Sequence, residues 1–189
     1  ERKPGTVGTP LPGVECLVVN DAGDVLPAGE TGHLWVRGPN VFQGYWQNEE
    51  KTAESFTPDG YFKTGDLAVI DDEGYISIVG RSKDLIITGG LNVYPKEIEL
   101  VLDAIDGVME SAVIGLPHPD FGESVCAVIV SLPEVDLTPE FIFDQIKTRL
   151  ANFKTPKKIF FLQNLPRNTM GKVQKNQLRE QFSDAAHNQ

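Results

Sequence analysis

The residues on either side of Ser82-Lys83-Asp84 follow different patterns, so one regular layer of structure does not accommodate the whole chain. Before this point the runs are short and β-rich. Residues 14–19 read as an apolar strand, residues 20–24 as a turn, and residues 33–37 as a second strand after Gly29-Glu30-Thr31-Gly32. Residues 67–70 and 75–79 flank Asp71-Asp72-Glu73-Gly74 and predict a hairpin. Beyond residue 84, Pro95 opens a helix in which Ile98, Val101, Leu102 and Ile105 recur at helical spacing, and Gly107 stops it. Strands are expected at 111–116, 124–132 and 159–162, a helix from the Thr138-Pro139 cap to Leu150, and a weaker one over 174–182. The fold class predicted is α+β. Residues 1–81 form an antiparallel, β-barrel-like subdomain, residues 82–84 a hinge, and residues 85–189 a mobile domain with a three-stranded sheet and helices; residues 183–189 are expected to fray.

The chain has 189 residues and a formal net charge of -10, which argues against a general nucleic-acid or membrane surface. Within that acidic whole, residues 145–179 contain no Asp or Glu, yet hold Lys147, Arg149, Lys154, Lys157, Lys158, Arg167, Lys172, Lys175 and Arg179. An anion is expected near this stretch. Cys16 and Cys126 lie among apolar neighbours without CxxC spacing and read as buried free thiols in a reducing compartment. With no signal peptide and no apolar run of membrane-spanning length, a cytoplasmic protein without an integral membrane segment is the default. Glu1 in place of Met suggests a piece of a longer chain.

Four places could carry chemistry. Asp66 in Thr64-Gly65-Asp66, placed on a loop before the strand at Leu67, could accept two hydrogen bonds from a vicinal diol, or could be an ordinary turn aspartate. Arg81 could donate a fork of hydrogen bonds to a ribose or phosphate, or could pair with Asp84 on the surface. Gly89 and Gly90 lie in a loop before a helix, where backbone can approach a ligand closely, though adjacent glycines also serve as simple turns. Lys172, in Pro166-Arg167-Asn168-Thr169-Met170-Gly171-Lys172, could reach a carboxylate and a phosphate together from a flexible loop, or could be a solvated lysine.

Taken in order, Gly38-Pro39-Asn40-Val41-Phe42-Gln43-Gly44-Tyr45-Trp46, Tyr61-Phe62-Lys63-Thr64-Gly65-Asp66, Gly80-Arg81-Ser82-Lys83-Asp84-Leu85-Ile86-Ile87-Thr88-Gly89-Gly90, Pro95-Lys96-Glu97-Ile98-Glu99 and the Pro166 to Lys172 run resemble the adenylate-forming superfamily. This superfamily comprises acyl-CoA synthetases, luciferases and nonribosomal adenylation domains. Residues 88–99 and 166–176 look most like malonyl-CoA synthetases within it.

The resemblance implies an ATP-dependent ligase that joins a carboxylic acid to coenzyme A, through an acyl-AMP and then a thioester, with a small domain that rotates between the steps. It implies ATP or AMP contacts at Asp66 and Arg81, a hinge at Lys83 and the adenylation lysine at Lys172. It also implies a pantetheine tunnel bordered by Gly89 and Gly90, and coenzyme A nucleotide contacts at Phe153 and Lys157, where Thr155 departs from the family by replacing a basic residue. Lys172 is by the same resemblance a candidate for acetylation, which would remove its charge. The phosphate loop, the magnesium and adenine motif and the acyl pocket are expected upstream of Glu1. No metal site is expected in the 189 residues, and the isolated piece is expected to be inactive. Alternatives are a long- or medium-chain fatty-acid ligase, and a non-catalytic module using the basic stretch for nucleic acid or partners.

Overall fold

The computed structural model describes residues 3–183. The expectation of fraying over 184–189 lies outside the described residues. The chain divides into two compact units, Glu1–Lys83 and Asp84–Gln189.

The first unit is built on an antiparallel sheet of β1 (Glu15–Val19), β2 (Thr31–Arg37), β3 (Phe62–Ile70) and β4 (Ile76–Arg81), in the order β1-β2-β3-β4. Alternation puts Val18, Leu34, Ala68 and Ile76 into one buried face, against which Cys16, Leu26, Val36 and Ile70 pack. Cys16, expected to be buried, is half-buried at the margin of this face. The expected hairpin is closed by Asp71, whose Oδ1 accepts from Glu73 N at 3.0 Å and Tyr75 N at 2.9 Å. A short helix, α1 (Glu49–Ser55), was not foreshadowed by any apolar period: it buries no residue and is set by its Asn48 cap, which accepts from Lys51 N at 3.0 Å.

The second unit contains β5 (Ile86–Thr88), β6 (Leu91–Val93), α2 (Pro95–Asp103), β7 (Val108–His118), β8 (Gly122–Ser131), α3 (Pro139–Ile146), β9 (Lys158–Phe161) and α4 (Lys175–Phe182). Its sheet has five strands rather than three, in the order β6-β5-β8-β7, with β9 parallel to β8. The two additional strands are three residues each, too short for an apolar pattern to register. They are held by pairing Thr88 with Gly122 of β8 and by Glu123 Oε2, which accepts from Ile87 N at 2.8 Å.

Both faces of the β7/β8 pair are covered. Val113, Val125, Ala127 and Ile129 pack against Ile98 and Leu102 of α2 and Ile142 and Ile146 of α3. Ala112, Ile114, Leu116, Cys126, Val128 and Val130 face Leu178 of α4 and Leu165, which follows β9. Two-sided burial explains why these strands read as continuous apolar runs rather than alternating ones. Thr138 caps α3 as expected, accepting from Phe141 N at 3.2 Å, with Pro139 in the first turn; the helix ends at Ile146, four residues before Leu150.

Candidate active site

Asp66 does not lie on a loop. β3 begins at Phe62, and Asp66 sits within it, in register with Arg81 of β4. Arg81 Nε is 2.9 Å from Asp66 Oδ1, and Arg81 Nη1 donates to Thr64 O at 3.0 Å. Thr64 Oγ1 donates to Leu34 O at 2.8 Å and accepts from Asp66 N at 3.0 Å, so one threonine ties β2, the bulged part of β3 and the aspartate together. The Asp66 side chain is 24% exposed and the Arg81 side chain 49%. Asp66 Oδ2 has no hydrogen-bond partner among the described residues. The pair therefore offers an open carboxylate oxygen beside a guanidinium, which suits a ribose diol next to a phosphate.

Arg81 does not pair with Asp84. Asp84 Oδ1 accepts instead from Arg179 Nη2 of α4 at 2.8 Å, an interaction inside the second unit. Ser82–Asp84 is a single 3-10 turn that spans the division between units, with Lys83, exposed, as the last residue of the first.

Gly89 and Gly90 form the two-residue turn of the β5–β6 hairpin, with φ of 56° and 78°. Two successive positive values demand glycine-like residues and match the twist of a tight hairpin. Gly89 N donates to Phe121 O at 2.9 Å, which fixes the turn beside the half-exposed Phe121 ring and its neighbour His118. The sequence placed this pair in a loop before a helix, with a simple turn as the alternative; the antiparallel pairing of β5 with β6 makes it a hairpin turn.

Lys172 stands on a loop that is hydrogen-bonded throughout. Asn168 Oδ1 accepts from Met170 N at 3.0 Å and from Lys172 N at 2.9 Å; Asn168 N donates to Lys172 O at 3.0 Å and Gly171 N to Asn168 O at 2.9 Å. Arg167 pairs with Val173 across the loop base, and Gln174 N donates to Pro166 O at 2.8 Å. Gly171 adopts φ of 78° to close the turn. The exposed Lys172 ammonium has no hydrogen-bond or ion-pair partner among the described residues. The bracing by Asn168 went unread in the sequence, although an Asn three residues before a Gly is a turn signal.

The basic stretch is largely neutralised. Lys147 pairs with Asp144, Lys154 with Glu97, Arg167 with Glu110, Lys175 with Glu99 and Arg179 with Asp84, so at least five of its nine cations have carboxylate partners from outside it. Phe153 is partly exposed; Lys154 lies 5.6 Å from its ring centroid while held by Glu97 at 2.7 Å. Lys157 is exposed and its Nζ donates to Asn152 O at 3.3 Å.

Phe153 and Lys157 precede β9, which shares with β5 the edge of β8 opposite β7. Lys157 N donates to Val125 O, three residues along β8 from the Gly122 that meets β5, roughly 10 Å away. The Lys172 loop is elsewhere. Its Arg167 is anchored to Glu110, near the start of β7, whereas the glycine hairpin adjoins His118 and Gly122, at the other end. Eight residues of β7 separate the two ends, roughly 25 Å.

Among the described residues no group of three or more His, Cys, Asp or Glu side chains comes together, and Asp66 already faces a guanidinium. These residues do not fit a magnesium site. Burial pushes the Cys126 thiol up from its ordinary pKa, and both cysteines are free. No helix among the described residues is long and apolar enough to cross a membrane.

Residues 1–46 match the model of the AMP-binding enzyme family and residues 97–172 that of the AMP-binding enzyme C-terminal domain. ATP-bound MatB from Rhodopseudomonas palustris is 53% identical and superimposes with a TM-score of 0.93, over 98% of this chain and 37% of MatB. Against apo MatB the TM-score is 0.71 at the same coverage, so the part of MatB that this chain matches differs in shape between those two structures. The o-succinylbenzoate CoA synthetase MenE from Bacillus subtilis, in complex with the acyl-adenylate OSB-AMP, is 38% identical with a TM-score of 0.88, over 94% of this chain and 36% of its own. A mitochondrial medium-chain acyl-CoA ligase, ACSF2 of Danio rerio, is 44% identical over 181 residues, 95% of this chain and 30% of its own. The chain spans about a third of the length of the curated relatives it matches. With both halves matched in order, the chain belongs to the AMP-binding, adenylate-forming enzyme family.

Proposed function

We propose that the chain is the C-terminal part of an AMP-forming acid–thiol ligase, in which the first unit holds the nucleotide and the second serves two successive half-reactions from two different ends. The observation that carries this reading is the separation, within one sheet, of an unpaired ammonium on a braced loop from a side-chain-free glycine hairpin. Two ends roughly 25 Å apart do not serve one reacting centre at the same time. A unit that turns about Lys83 presents them in sequence. The two shapes of the matching region of MatB support such a turn.

In the first half-reaction the substrate carboxylate attacks the α-phosphorus of ATP, pyrophosphate leaves and acyl-AMP forms. Lys172 stands between the two anions, where each unit-charge pair at 4 Å is worth about 4 kcal/mol at an effective dielectric of about 20. Asp66 takes the ribose hydroxyls and Arg81 holds Asp66 while facing the phosphate side. In the second half-reaction the coenzyme A thiol attacks the acyl carbon and AMP leaves. Gly89 and Gly90 border the pantetheine, and Phe153 and Lys157 lie toward its nucleotide. Acetylation of Lys172 would silence the first step alone.

Malonate is the acid that the sequence resemblance favours, and MatB is 53% identical against 44% for the medium-chain ligase. That ligase keeps a fatty acid as the second reading. Acid-dependent pyrophosphate exchange by the full-length protein decides between them: exchange with malonate and none with medium- or long-chain acids is expected, and the reverse would replace malonate. The neutralised basic stretch weakens the reading as a nucleic-acid module.

A further inference from the structure

Both ends of the Lys172 loop are tied to one strand. At the entry, Arg167 pairs with Glu110 of β7, and its Nη1 also donates to Gly171 O at 2.6 Å. At the exit, Lys175 Nζ lies 2.6 Å from Glu99 Oε1 of α2, and the same oxygen accepts from Val113 N of β7 at 2.9 Å. Val113 is three residues beyond Glu110 on that strand. The two side chains of the exit pair are 16% and 9% exposed, the most buried ion pair of the described residues. β7 is an edge strand with only β8 as neighbour, so Glu99 covers one of its unpaired N–H groups while joining α2 on one face of the sheet to α4 on the other.

Burying two charges is poor economy for stability, since well-packed apolar residues of similar volume often do as well or better. Here the pair holds the residue three positions after Lys172 against Glu99. Gln174, between them, donates from Nε2 to Lys172 O at 3.3 Å.

We infer that Glu99 and Lys175 are positioning residues for Lys172, which hold the ammonium in place for adenylation and take no part in the thioester step. This rests on the role proposed above for Lys172. The side chains touch neither substrate; they act by fixing where α4, and with it the loop, begins. A displacement of the ammonium by about 1 Å is enough to cost on the order of 10–100-fold in rate.

The test measures both half-reactions in the full-length ligase for Glu99→Gln, Lys175→Met and Lys175→Arg, with Lys172→Ala alongside and thermal midpoints recorded. Glu99→Gln keeps an acceptor for Val113 N while removing the charge that holds Lys175, and the thermal midpoint reports the stability lost with the buried pair. Expected is a fall in adenylation kcat of roughly tenfold or more in Glu99→Gln and Lys175→Met. KM for ATP and acid should stay within about twofold, thioester formation from supplied acyl-AMP should be unchanged, and Lys175→Arg should recover most of the loss. Equal loss of both half-reactions, or adenylation unchanged while Lys172→Ala abolishes it, would overturn the positioning role and leave that of Lys172 standing. If Lys172→Ala itself adenylates normally, the reading on which this inference rests fails.

Discussion

The two ends of the second unit's sheet present opposite chemistry by opposite means. Near Glu110 a loop of side chains is braced by Asn168, Arg167 and Lys175 so that a single charged group stands free. Near Gly122 there is a hairpin turn with no side chains at all, its positive φ values supplied by Gly89 and Gly90 and its position by Phe121 and Glu123. One end delivers charge, and the other delivers backbone without bulk. An ammonium between two anions suits phosphoryl chemistry, whereas a bare turn suits the passage of a long, uncharged thiol arm.

The two ends should differ most at Lys172. Lys172→Ala in the full-length enzyme should lower acid-dependent pyrophosphate exchange by about 10²–10³-fold, the scale of losing one preorganised charge-stabilising group. Thioester formation from supplied acyl-AMP should survive in the same preparation, and parallel loss of both would merge the two ends into one. A smaller effect of the opposite kind is expected for Lys83→Pro, at the boundary between units: thioester formation falls on the order of tenfold or more while exchange is spared. Stopped-flow measurement of the second half-reaction checks this. The smallest effect is expected at the glycine end. Gly89→Val forces a β-branched residue into φ of 56°, at a cost of roughly 1–2 kcal/mol, and should slow the thioester step alone. If it slows exchange instead, the hairpin has the wrong assignment.

Much of this molecule was legible because its residues follow local rules. The Asp71 hairpin, the Thr138-Pro139 cap and the two-sided apolar runs of β7 and β8 follow from turn chemistry, capping and burial. What escaped depends on partners distant in sequence. Asp66 became a strand residue because β3 extends back to Phe62 to pair with β2, and Arg81 chose Asp66 over the nearer Asp84 because register on β3 and β4 sets them side by side. The basic stretch suggested an anion, but Glu97, Glu99 and Glu110 lie at least 35 residues before it, and only the fold brings them to Lys154, Lys175 and Arg167. Lys172 stood out in the sequence as a candidate, but the bracing that leaves it free among the described residues was visible only once Asn168 was seen to close the turn.

A turn of one unit that offers first one end and then the other would change a distance. Spin labels at exposed Asp59 in the first unit and exposed Met170 at the tip of the Lys172 loop, in the full-length enzyme, would report it. The distance should differ by on the order of 10 Å or more between the ATP-bound state and the state holding AMP with coenzyme A, given ends roughly 25 Å apart. An identical distance distribution in the two states would exclude such a turn.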